Sequence, residues 1–108
     1  MGDGLGEFEQ LVLLALVRLG DGAYGMIVHR ELEQRARREV TLGAVYKTLA
    51  RLEAKGLVGA FTGEPTPERG GRRKRHYRVL PEGRRALARS LATIRRMSVG
   101  LPEALELS

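Results

Sequence analysis

The chain has 108 residues, of which 43% are hydrophobic and 30% charged, with 19 Lys plus Arg against 13 Asp plus Glu for a formal net charge of +6; this is the profile of one small globular domain with a modest core, of a size that often gains stability by dimerising. It contains no cysteine, which excludes disulfides and thiolate metal sites. Its longest apolar run, LVLLALV at 11–17, is too short to cross a bilayer and follows Asp3, Glu7 and Glu9, the wrong flank for a secretory signal, so a cytoplasmic chain without membrane contact is expected.

Phe8, Leu11, Val12, Ala15, Leu16 and Leu19 recur at helical spacing, and Gly20-Asp21-Gly22 supplies a stop and a turn. A shorter amphipathic helix follows within 23–39. Tyr24, Ile27, Val28, Leu32 and Ala36 form its inner face, and Glu31, Glu33, Arg35, Arg37 and Arg38 are available to solvent. Thr41 is placed to cap a third helix that runs to Gly56, with Val45, Leu49 and Leu52 inward. At 100° per residue Gly43, Lys47 and Arg51 then fall on the outer face, with Tyr46 on its flank. A surface of small residues followed by one aromatic and two cations suits the reading of a polyanion.

The segments LVGAFT (57–62) and RHYRVL (75–80) have strand character, with Phe61, Tyr77 and Val79 expected inward, and a Gly/Pro-rich stretch joins them into a hairpin. The run RGGRRKRHYR (69–78) holds Arg69, Arg72, Arg73, Lys74, Arg75 and Arg78 and no acidic residue. Outside it the basic residues equal the acidic ones in number, so the whole formal excess of +6 sits in these ten residues. Charge concentrated in this way points to a polyanionic partner. Three helices followed by a two-stranded ribbon is the order of a winged helix-turn-helix, mainly α with a small β-wing.

Pro81 opens a fourth helix of about five turns, proline being well suited to the first helical position. Leu87, Leu91 and Ile94 step by four and three, and the register continues through Ser98 to Leu101 and Leu105, the narrow seam of a coiled coil. Gly100 and Pro102 are expected to break the helix before the tail. The expected division is a winged helix-turn-helix domain over 1–80 and a dimerisation helix with its tail over 81–108.

The blocks LVLLALVRLGDGAYGMIVHRELE, TLGAVYKTLARLEAKGLV and GRRKRHYRVLPEGRRAL, in this order and spacing, resemble the PadR-like transcriptional regulators over roughly residues 5–97. The resemblance implies a homodimeric DNA-binding repressor. Its third helix would enter the major groove of double-stranded DNA, its wing would touch the adjacent backbone or minor groove, and its last helix would dimerise as in the short branch of the family. The matching contact candidates are Thr41, Gly43, Tyr46 and the basic wing residues. Lys47 departs from the proline or small residue common there, and Leu80 stands where threonine commonly caps the last helix.

On chemical grounds Thr41 and Gly43, at a helix N-terminus, suit a DNA phosphate. Lys47 and Arg51 suit base edges or phosphates, and Arg72, Arg73, Lys74 and Arg75 suit phosphates. Arg69 or Arg72, beside Gly70-Gly71, is placed for the minor groove. Two recognition helices on a two-fold axis imply an inverted-repeat operator.

An enzyme is not expected, since the two histidines, His29 and His76, lie on different elements and no nucleophile or phosphate-loop motif accompanies them. His29 and Glu33, four apart, read as a surface pair rather than a metal site. No cofactor is expected. With no tryptophan and five aromatic residues, a small-molecule effector is compatible with the chain but not indicated. The rival classes are a winged-helix protein-interaction module and a non-specific architectural DNA-binding protein.

Overall fold

The helix α1 (Glu7–Leu19) buries Val12, Leu13, Ala15 and Leu16 because it lies at the centre of the molecule, touched by α2 (Gly25–Arg35), α3 (Leu42–Ala54), β2 (Arg73–Val79) and α4 (Pro81–Ser98). The computed structural model of the protein describes residues 4–65 and 73–105. Around α1 a single core gathers Val28 and Leu32 from α2, Val45, Leu49 and Leu52 from α3, Val58 from β1 (Val58–Pro65), Tyr77 from β2 and Leu87 from α4. Each fully buried Leu or Val contributes about 1.5–3 kcal/mol of transfer free energy. α1 is buried more broadly than its expected stripe, since Leu13 is wholly enclosed.

Each junction is closed by local chemistry. Gly20, at φ 69°, ends α1 and leads into the one-turn 3-10 helix Gly20–Gly22. α2 stops at Arg35, short of the expected span, and Arg37 turns the chain at φ 53° while the Arg38 N–H donates to the Leu32 carbonyl. Ala36, expected inward, is therefore exposed just past the helix end. His29 donates through Nε2 to the Val40 carbonyl at 2.7 Å, tying α2 to the segment before α3. Its second neighbour is Glu33 at 3.5 Å, and no group of three metal-ligating side chains occurs among the described residues. At the end of α3 the Leu57 N–H reaches the Leu52 carbonyl and the Gly56 N–H the Glu53 carbonyl, with Gly56 at φ 76° in the left-handed region.

β1 and β2 pair antiparallel, Val58 opposite Val79 and Ala60 opposite Tyr77. Opposite residues share a face, so Val58, Ala60, Tyr77 and Val79 pack on the core. The same register sends Phe61 to the other face, opposite His76, which corrects its expected inward position. There Phe61, His76 and Tyr24 form a row with ring centroids 5.5 and 5.3 Å apart, because residues 23–24 dock beside β2 through a Tyr24–His76 bridge and a Tyr77 N–H bond to the Ala23 carbonyl at 2.9 Å. His76 is 6% exposed.

α4 leaves the body at a fixed angle. Leu80 flanks Pro81 without a side-chain cap, and its N–H donates to the Leu57 carbonyl at 2.9 Å. The first turn presses onto the same place, where a Cβ on Gly83 would strike the Leu57 carbonyl oxygen and approach Val79 Cγ1 at 2.9 Å. Leu87, expected on the seam, is 6% exposed and belongs to the core of its own chain. It has almost nothing left to offer a partner, so the exposed apolar stretch starts one turn later. Leu91, Ile94, Met97, Val99, Leu101 and Leu105 are all open to solvent. Gly100, at φ 83°, turns the chain into the short helix α5 (Pro102–Leu105). No helix among the described residues is long and apolar enough to cross a membrane.

Candidate nucleic-acid interface

α3 begins where the Thr41 hydroxyl accepts from the Ala44 N–H at 3.0 Å, so this residue is an N-cap in fact. The helix buries Val45, Thr48, Leu49 and Leu52 and leaves Gly43, Tyr46, Lys47 and Arg51 on its open side. That division follows directly from the 3.6-residue period. Among the described residues Lys47 finds no ion-pair or side-chain hydrogen-bond partner, and its side chain is open to solvent.

The other two cations on this side are differently placed. Lys55 Nζ stands 2.8 Å from Glu9 Oε2, and Arg51 Nη1 is 3.8 Å from the same oxygen, with the Arg51 side chain 49% exposed. Arg51 thus leans toward α1 rather than straight outward. Glu9 is 5% exposed and also accepts from the Gly6 N–H through Oε1 at 3.0 Å. Burial works to raise its pKa, but the Lys55 hydrogen bond, the Gly6 N–H and the charges of Lys55 and Arg51 together hold the carboxyl below its ordinary value. The sequence offered only a faint signal for this role: Glu9 stands at the third helical position, from which a carboxylate reaches back to the cap N–H.

Tyr46 settles against α2. A Cβ built on Gly25 would overlap the Tyr46 ring and its hydroxyl oxygen, so the ring lies directly on the first residue of α2 while Tyr46 stays 42% exposed.

The wing stands beside this face. Arg75 Nη2 is 2.9 Å from Glu53 Oε2 at the far end of α3, which raises the Arg75 pKa further, and its guanidinium lies 5.9 Å from the Tyr77 ring centre. Burial pushes the Tyr77 phenol up, with the Arg75 charge working in the opposite sense. Arg78 covers the outer Phe61 ring at 4.2 Å. Lys74 accepts through its carbonyl from His76 Nδ1 at 2.9 Å, and its ammonium makes no ion pair among the described residues. Arg73 pairs with Pro65 through the backbone at the end of β2. Arg69 and Arg72 lie outside the described residues. Of the basic wing residues, Arg75 is engaged with α3 and Arg78 with Phe61. The role of His76 as a buried post of the hairpin was missed because its alternation with Tyr77 and Arg78 shows only that it faces away from Tyr77.

This architecture and sequence match known proteins. The model of the transcriptional regulator PadR-like family matches residues 13–89. A 37.1 kDa protein carried in a transposon of Streptomyces fradiae is 36% identical over 87 residues, which is 80% of this chain but 23% of that protein. Among solved structures, RosR of H. salinarum is 27% identical with a TM-score of 0.69, covering 89% of this chain and 79% of that one. Two others share the fold at lower identity. A PadR-like transcriptional regulator of Bacillus cereus has a TM-score of 0.74 at 17% identity over 94% and 93% of the two chains. A PadR family regulator of Clostridium difficile has 0.71 at 19% over 92% and 99%. The winged helix, its exposed third helix and the matched family model agree, and the chain belongs to the transcriptional regulator PadR-like family.

Proposed function

We propose that the chain is a sequence-specific repressor that binds an inverted-repeat operator as a homodimer in the cytoplasm. The observation that carries this reading is the open side of α3, where Gly43, Tyr46 and Lys47 stand exposed around a Thr41-capped N-terminus, beside a wing whose sequence includes the basic run 69–78, six Lys and Arg with no acidic residue. α3 enters the major groove, with Lys47 toward bases or phosphates; Arg51, drawn toward Glu9, reaches a phosphate only by swinging away from that carboxylate. The wing residues Arg69, Arg72, Arg73, Lys74 and Arg75 clamp the backbone and supply affinity more than choice. The body through the first turns of α4 forms the DNA-binding unit. Leu91, Ile94 and Leu101 form the seam to a second copy, since an apolar row of this length is rarely left open on a small protein.

Selection of bound sites from a pool of random duplex tests the reading. The expected product is an inverted repeat with half-sites about 34–36 Å apart, one turn of DNA. Salt-sensitive binding without enrichment of any sequence would instead indicate an architectural protein, and no binding a protein-interaction module.

A further inference from the structure

Gly25 has no backbone reason to be glycine. It is the first residue of α2, and its φ is not among the positive ones. Its use is space, because any side chain at this position meets the Tyr46 ring. An aromatic residue on the outer side of α3 would ordinarily sample several rotamers. Here one edge rests on the α2 backbone, and Tyr46 is still 42% exposed on the same side as Gly43 and Lys47. The next residue back, Tyr24, packs on His76 of the wing at 5.3 Å. Two consecutive residues therefore hold one group from the recognition helix and one from the wing.

We infer that Gly25 is a positioning residue for DNA binding: it seats the Tyr46 ring so that the phenol hydroxyl is held ready for a DNA phosphate. This rests on the proposed DNA-binding role of α3. Nothing in it requires Gly25 to touch DNA. A fixed ring loses less rotamer freedom on binding, which raises affinity without adding any interaction.

The test combines two variants with two measurements. In the wild type the Gly25 α-protons lie against the Tyr46 ring, so its ring current should displace their NMR resonances from the values of an ordinary helical glycine; Tyr46→Phe should keep that displacement and Tyr46→Ala should abolish it. Operator affinity should fall about tenfold in Gly25→Ala, and several-fold in Tyr46→Phe, but Gly25→Ala should cost nothing further in a Tyr46→Ala background. Thermal stability supplies a sign reversal. Alanine is the better helix former, so Gly25→Ala should raise the melting temperature in the Tyr46→Ala background and lower it in the wild type. If Gly25→Ala alone does not fold, the double variant should, because the collision is gone, and Tyr46→Phe still reports on the phosphate interaction. Equal losses of affinity from Gly25→Ala in both backgrounds, or full affinity in Tyr46→Phe, overturn the inference. A wild type with the ring-current shift but no specific DNA binding overturns it through failure of the DNA reading, whereas specific binding without the shift overturns the positioning alone.

Discussion

The Glu9 carboxylate of α1 and the Lys55 ammonium of α3 meet at 2.8 Å, with Glu9 almost enclosed and Lys55 38% exposed. Glu9 sits in the first turn of α1 and Lys55 at the C-cap of α3. The pair therefore pins the end of α3 to the central helix, and with Arg51 nearby it offsets the burial that works to raise the carboxyl's pKa.

Replacing Glu9 with Gln should destabilise the fold by about 1–3 kcal/mol near neutral pH, the range for losing a charged hydrogen bond in a largely buried place. The folded carboxyl has a depressed pKa, so its contribution is present above the unfolded value and is lost as pH falls through the folded one. Thermal unfolding of both proteins across pH should show the gap widest near pH 7 and closing below about pH 4.

Lys47, without an intramolecular partner among the described residues, should matter to DNA alone. Lys47→Ala should leave stability within about 0.5 kcal/mol. It should lower operator affinity and reduce the slope of log affinity against log salt by about one unit for each phosphate no longer neutralised, so by about two for a dimer. Arg75→Ala should also change stability little, by less than about 1 kcal/mol, because its pair with Glu53 is exposed.

Neighbouring turns of α4 should behave in opposite ways. Leu87→Ala should cost about 2–5 kcal/mol by opening a cavity in the core. Leu91→Glu with Ile94→Glu should leave the helical content intact and halve the mass measured by light scattering, since both side chains are exposed on the single chain.

Gly83→Ala tests how α4 is aimed. Helix propensity favours alanine by about 1 kcal/mol, yet the added methyl would meet the Leu57 carbonyl and Val79. A net loss of about 1–3 kcal/mol in denaturant unfolding is expected, the usual cost of overpacking.

Local periodicity made most of the molecule legible. The faces of α3, the Thr41 cap, the Gly56 stop and the Pro81 start each depend on residues within one turn, and all were readable from the sequence. What was not readable depended on distant partners. Phe61 looked like core because it is apolar, but strand register, set by Val58 opposite Val79, put it on the other face with His76. Leu87 fits the seam by spacing, yet the close approach at Gly83 brings the start of α4 onto α1 and buries it. Arg51 has the angular position of a reading residue, but Glu9, 42 residues earlier in the chain, draws it aside. The Gly25–Tyr46 packing likewise joins two helices, and no spacing within either one encodes it.

The most direct test of the central claim is the affinity of the intact protein for the duplex just upstream of its own coding sequence, measured beside a scrambled duplex of equal length over a range of salt concentrations. The account predicts tighter binding to the upstream duplex, at a stoichiometry of two chains per site, with log affinity falling steeply as log salt rises. Equal affinity for both duplexes at every salt concentration, or a slope near zero, would contradict it.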